Sequence, residues 1–328
     1  MADAQTKRAD TGPSAGPPGK GHGGPSAGPP GKGHGGPSAG PPGKGHGGPS
    51  AGPPGKGHGG PSAGPPGKGH GGPSGGLPDG LRGHAAAVVV TCEHGGNRVP
   101  PEVARLFTTE GDHLAGHGGY DAGALEMARS FAAAFAAPLF FTTVTRLVAD
   151  QNRSLGHPKH FSKYTKGLPP AERQALLDAH YHPMRRETLA AVSAVLEAGK
   201  TAIHLASHSF VPVLRGAQRT MDIGLLYDPR REGERALCAA WKARLAAARP
   251  GLRVRRNAPY RGVSDGHVTA LRTRFPTGYL GIELEVNQRF VAEDRPAFDD
   301  LLRVVPDTFA EALADIGLAC DDTPPPSS

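Results

Sequence analysis

The run from Ala85 to Val90 is small and β-branched, and it breaks abruptly into Thr91-Cys-Glu-His-Gly-Gly-Asn-Arg-Val-Pro100. A second apolar run, Thr201-Ala-Ile-His-Leu-Ala-Ser207, leads in the same way into His208 and Ser209. Two histidines offered by strand ends, with a carboxylate nearby, are what a mononuclear zinc hydrolase requires. Zinc in such enzymes takes three protein ligands and keeps a fourth position for water, whose pKa it lowers toward neutrality. His94 and His208 are therefore the two expected ligands.

Ile282-Glu-Leu-Glu-Val286 alternates strictly, which puts Glu283 and Glu285 on one face of a strand and the apolar residues on the other. Two like charges side by side in a buried sheet are costly unless a cation or a proton compensates them. Glu285, nearer the strand's end, is the expected general base, and Glu283 could exchange roles with it. Arg146-Leu-Val-Ala-Asp-Gln-Asn-Arg153 sets two guanidinium groups around Asp150. Arginine matches a carboxylate through parallel hydrogen bonds, so Arg153 with Asn152 is expected to hold a substrate carboxylate. Arg146 is either a further contact of that kind or a surface ion pair.

These residues need a scaffold that gathers them. Strands are expected at about 86–92, 139–145, 201–207, 222–227, 252–255 and 278–286, with helices over 121–136, 169–196 (broken at Pro183), 231–248 and 296–317. Strands alternating with helices imply a mainly parallel sheet covered on both faces. In such a sheet the carboxyl ends of the strands line one crevice, so residues over a hundred positions apart can share a pocket.

Upstream of the first strand, residues 12–71 are five copies of GPSAGPPGKGHG. The unit has no large apolar side chain to offset the entropy of ordering, and its glycines miss the three-residue spacing of collagen. Residues 1–80 are expected to form a disordered tail, 81–320 one catalytic domain, and 321–328 a disordered end. The tail's one lysine and one histidine per repeat read as a solubilising spacer, with metal handling or an electrostatic arm as alternatives. The net charge of +7 includes +4 from the first 80 residues (seven Lys and Arg less three Asp), so the remainder carries +3 and nucleic-acid binding gains no support. Three scattered cysteines suit a reducing compartment, and no signal-like or membrane-length apolar run is seen. The expectation is a cytoplasmic protein acting on a small molecule, with its oligomeric state open.

Taken together, the motifs resemble the N-formylglutamate amidohydrolase family. The resembling segments run in order: 92–100, Tyr120-Asp-Ala-Gly-Ala124, 146–153, Tyr181-His-Pro183, Ser207-His-Ser-Phe-Val-Pro212, Asp222-Ile-Gly-Leu-Leu-Tyr-Asp228, Asn257-Ala-Pro-Tyr-Arg-Gly262 and Gly281-Ile-Glu-Leu-Glu-Val-Asn-Gln288. The resemblance implies a three-layer α/β/α fold similar to zinc carboxypeptidases, a zinc cofactor, and hydrolysis of the formamide of N-formyl-L-glutamate, a step of histidine degradation. In the carboxypeptidase relatives a His-x-x-Glu pair and a distant histidine hold zinc, an Asn-Arg pair binds the terminal carboxylate, and a strand glutamate is the base. His94, His208, Asn152-Arg153 and Glu285 resemble those groups. The residue three after His94 is Asn97, so a carboxylate ligand must come from elsewhere: Asp121 or Glu93, with His182 a further candidate at the site. The substrate class is then a formamide or other small amide bearing a carboxylate. Competing readings are a carboxypeptidase-like hydrolase of small peptides or cell-wall fragments and a non-catalytic metal-binding protein.

Overall fold

The computed structural model describes residues 85–108 and 111–320. The expected tail over 1–80 and the end over 321–328 lie outside the described residues. In chain order the elements are β1 (Ala85–Cys92), a 3-10 turn (Pro101–Leu106), α1 (Gly111–Ala115), α2 (Ala124–Ala134), β2 (Leu139–Phe141), α3 (Pro170–His180) and α4 (His182–Glu197). They continue with β3 (Thr201–Phe210), the short β4 (Val213–Leu214) and β5 (Ala217–Gln218), β6 (Ile223–Leu226), α5 (Glu232–Ala248), β7 (Val254–Arg256) and α6 (His267–Arg274). β8 (Tyr279–Asn287), α7 (Arg289–Glu293), α8 (Arg295–Asp315) and β9 (Ala319–Cys320) complete the order.

One sheet runs β2-β1-β3-β8-β6-β7, with β9 on the edge of β1 that β2 leaves open. β2, β1, β3, β8 and β9 are mutually parallel, while β6 lies antiparallel to β8 and carries β7 parallel to itself. The fold is thus a three-layer α/β/α arrangement on a mixed, mainly parallel sheet. Its two faces follow from the period of two along each strand. Val88, Val90, Ile203, Leu205, Ile282 and Leu284 meet Phe131, Trp241 and Phe309 of α2, α5 and α8 in the main core. Val89, Ala202 and Tyr279 face the other way, onto Val192 of α4 and Leu271 of α6. The first face is wholly apolar at its centre. The second becomes polar along the same strands, through Thr91, His204, His208, Glu283 and Glu285, all buried.

Several boundaries differ from expectation for local reasons. The helix expected from Asp121 begins at Ala124, and Asp121 stays in the preceding loop with its N–H donating to the His94 carbonyl at 2.9 Å. β2 ends at Phe141, and Val144 instead forms an isolated parallel bridge with Arg98. The break between α3 and α4 falls at Tyr181, so Pro183 sits in the first turn of α4, where its missing N–H costs no hydrogen bond. β3 runs on to Phe210, placing His208 and Ser209 inside the strand rather than after it.

His204 lies in the polar face with no solvent exposure, bridging Thr91 Oγ1 at 2.8 Å and Tyr279 Oη at 2.7 Å. Burial, assisted by the neighbouring His267, pushes its pKa down to about 3. Between pH 6.5 and that value the unfolded chain binds a proton that the folded chain refuses, so stability is full above 6.5 and falls as the solution is acidified. From pH 6.5 to 4.5 the loss is about 2–3 kcal/mol. Urea unfolding of wild type and His204→Gln at both pH values should show that extra loss in wild type alone. Equal losses in the two proteins would sink the assignment of His204 as a neutral buried group.

Candidate metal centre and active site

The sheet register brings the site together. β3 and β8 pair with His208 opposite Glu285 and Ala206 opposite Glu283, and β1 pairs with β3 as far as Thr91 opposite Ala206. Just past the end of β1 at Cys92, Glu93 and His94 come to lie beside His208. Asp121 reaches the same point from the loop before α2, anchored by its backbone bond to His94. The ligand atoms of His94, Asp121 and His208 all lie within 4.8 Å of one another, and all three residues are buried.

The two imidazoles are oriented alike. Nδ1 of His94 is 3.3 Å, and Nδ1 of His208 2.9 Å, from the same oxygen, Asp121 Oδ2. Each Nε2 faces a second carboxylate: Asp150 Oδ1 at 2.7 Å behind His94, and Glu93 Oε2 at 3.2 Å behind His208. Glu93 is itself held through Oε1 by His267 Nδ1 at 2.8 Å. A histidine ligand commonly gives its second ring N–H to a carboxylate, which fixes the ring's tautomer and direction. Asp150 and Glu93 stand in that position. Of the two carboxylates expected from sequence as the third ligand, the structure places Asp121 between the imidazoles and Glu93 behind one of them. The other Asp121 oxygen, Oδ1, is engaged by Arg146 and lies 3.3 Å from His117 Nδ1.

The charges follow from this geometry. Burial pushes Asp121, Glu93 and Asp150 up, but the surrounding imidazoles and guanidinium groups outweigh it and hold all three carboxyls below their usual range. Burial would also drive the His208 proton off, yet the hydrogen bonds to Asp121 and Glu93 prevail and raise its pKa well above the ordinary value. Glu283 and Glu285 behave in the opposite way. Burial dominates both, raising Glu283 and pushing Glu285 up to about 8. Oε2 of Glu285 is buried without a hydrogen-bond partner. An orphaned carboxylate oxygen beside two imidazoles and an aspartate fits a centre that holds a cation, and two nitrogens with one oxygen fit zinc's preference for borderline ligands. No second group of this kind occurs among the described residues.

A cavity of about 210 Å³ opens onto this cluster, and His94, His208, Asp121, Glu283, Glu285, Asn152, Arg146 and Arg153 line it. Asn152 is more tied down than a free substrate ligand: its Oδ1 accepts the His267 N–H at 2.7 Å, and its Nδ2 is 3.4 Å from His208. Arg153 donates through one terminal nitrogen to the carbonyls of Asn152 and Asp265, while its buried Nε has no partner. The second terminal nitrogen, Nη2, makes no hydrogen bond among the described residues and is the part able to take a carboxylate from the cavity. Arg146 is not a surface ion pair; it is a buried-side partner of Asp121.

His182 is not brought to the cluster. It stands on the first turn of α4, about a third exposed, 3.9 Å from Asp178 and outside the 210 Å³ cavity. Sequence reading missed His267 and His117 as members of the network. Neither ends an apolar run, and each reaches the site from a segment expected to be loop.

The family model for N-formylglutamate amidohydrolase matches residues 86–292. No curated protein matches. A crystal structure of a gene product from Agrobacterium tumefaciens is similar at a TM-score of 0.61 and 28% identity, over 72% of this chain and 92% of that one. A crystal structure of N-formylglutamate amidohydrolase from Ralstonia eutropha is similar at 0.52 and 18% identity, over 72% and 96%, which is a likeness of fold. No helix among the described residues is long and apolar enough to cross a membrane.

Proposed function

Because the chain belongs to the N-formylglutamate amidohydrolase family and is an amidohydrolase, we propose that it hydrolyses the formamide of N-formyl-L-glutamate, or a closely related small N-acylated amide bearing a carboxylate, with zinc held by His94, Asp121 and His208. The observation that carries this reading is the convergence of both imidazole Nδ1 atoms on Asp121 Oδ2, with Glu285 next to His208 in the ladder. Zinc so held is a Lewis acid that lowers the pKa of water and polarises a carbonyl oxygen.

The rest falls to the chain's own side chains. Arg153, through Nη2, binds the substrate carboxylate and fixes the formyl carbon over the cluster. Glu285 removes a proton from the attacking water and passes it to the departing nitrogen as the carbon–nitrogen bond breaks, leaving formate and a free amine. Its burial makes the ionised form a stronger base than an exposed carboxylate, because water does not stabilise its charge. Asp150 and Glu93 keep the imidazoles aimed. A cavity of about 210 Å³ suits a small metabolite better than a peptide or a cell-wall fragment.

The test is formate release from N-formyl-L-glutamate by the full chain, stripped with chelator and reloaded with zinc. Zinc-dependent formate release from N-formyl amino acids is expected. Turnover of peptides instead, or no release with any N-formyl amino acid after reloading, overturns the reading.

A further inference from the structure

We infer that Arg261 selects for substrates carrying a second carboxylate, reading an acidic side chain while Arg153 holds the other carboxylate; this rests on the hydrolase reading above and narrows its substrate class. Arg261 lines the same cavity as the His94, Asp121 and His208 cluster. It belongs to the loop 257–262 between β7 and α6, and that loop is fixed from several directions.

Asn257 adopts the left-handed conformation, φ 51°, and its Oδ1 accepts the N–H groups of Tyr227 at 3.1 Å and Gly262 at 3.0 Å. The buried Arg272 donates to the Gly262 carbonyl while it also binds Glu234 Oε1 at 2.9 Å and the Gly281 carbonyl at 2.7 Å. A side chain at Gly262 would collide with the backbone of Tyr227, and one at Gly224 would collide with the carbonyl of Ala258. Gly224 is the ladder partner of Glu285, so the loop crosses the sheet directly beside the expected base. Tyr260 is held in turn by the Arg219 guanidinium, which lies 5.2 Å from its ring and 5.5 Å from that of Phe210.

The backbone on both sides of Arg261 is therefore pinned, yet its exposed guanidinium has no hydrogen bond or ion pair among the described residues. The other two arginines of the cavity are partly committed, Arg146 to Asp121 and Arg153 to two carbonyls. A pinned backbone that presents an uncommitted guanidinium beside the reacting groups removes the loop's share of the ordering cost of binding an anion, leaving that of the side chain. Arginine's planar fork selects carboxylate over a neutral amide of the same shape. At a solvated rim the preference is about two- to fivefold.

The experiment compares kcat/KM for N-formyl-L-glutamate and its neutral isostere N-formyl-L-glutamine, using zinc-loaded full-length wild type, Arg261→Gln and Arg261→Lys. Wild type should favour the glutamate compound by about two- to fivefold. Arg261→Gln should bring the ratio near one by losing rate on that compound alone, and Arg261→Lys should recover part of it. An unchanged ratio, or an equal fall on both compounds, overturns the inference. Calorimetric binding of glutarate against pentanoate separates this inference from the hydrolase reading. Tighter glutarate binding that disappears in Arg261→Gln, in a protein that releases no formate, would uphold the second carboxylate subsite and discard the hydrolase reading. Equal binding of the two acids would discard the subsite even in an active enzyme.

Discussion

Replacing Glu285 with glutamine should lower kcat by about 10²–10⁴-fold while zinc content and KM stay close to those of wild type. Glutamine keeps the shape and the buried position on β8 but cannot accept a proton from water. The substitution removes a carboxyl that burial has already pushed up to about 8, so the fold loses little by it. Glu285 touches no described hydrogen-bond partner through Oε2, which means that no structural bond is broken there. Glu283→Gln provides the contrast. Its side chain lies on the same face, two residues deeper along the strand, opposite Ala206 rather than His208 in the ladder. Its substitution should cost less than tenfold in kcat, an estimate that follows from losing a neighbouring charge rather than the proton carrier. Zinc analysis and steady-state rates on both variants decide the matter, and a larger loss for Glu283→Gln would reverse the two assignments.

That Glu283 and Glu285 share a face was legible from residues 282–286, because a period of two fixes which side chains point the same way without any knowledge of neighbours. What the neighbours are depends on register, and register is a property of the whole sheet. His208 facing Glu285 follows from the β3–β8 ladder, which joins residues 77 positions apart by their numbers. Sequence reading placed His94 and His208 at matching strand ends by the breaks in their apolar runs, and His208 proved to sit within β3. Asp121 was within reach as a carboxylate donor, but helical periodicity drew it into α2, whereas the backbone bond to His94 keeps it in the loop. His182 drew notice through its Tyr-His-Pro setting, and that setting turns out to serve the start of α4. His267 carried no local signal. Its role exists only because α6 packs over β8 and delivers Nδ1 to Glu93, 174 residues earlier. Patterns that depend on one strand or one helix could be read directly. Of the groups behind the ligands, Asp150 and Glu93 stood out as carboxylates beside the expected site, whereas His267, delivered by α6 from far along the chain, did not.

The other large effect concerns the histidines themselves. His208→Ala should remove about one zinc per chain together with detectable turnover, since a site with three protein ligands that loses one keeps too little of the coordination energy. His182→Ala, on the surface of α4, should change neither. The proton on His208 adds a pH signature that an adventitious ion would lack. In the zinc-free chain the hydrogen bonds to Asp121 and Glu93 overcome burial and hold that proton above the usual pKa. A raised pKa contributes stability that is complete below the unfolded value, about 6.5, and is lost as pH rises through the folded value. Zinc must displace the same proton, so its affinity should rise about tenfold per pH unit over that range for one proton released. Alkalinity thus weakens the zinc-free fold, while the zinc-loaded one, which carries no proton there, is left unchanged by this group because the gain in affinity offsets the loss. Calorimetric titration of zinc in buffers of different ionisation enthalpy should detect the released proton in wild type. Zinc binding at this site with no proton released would mean that His208 is neutral before loading, and that Asp121 and Glu93 position its ring without charging it.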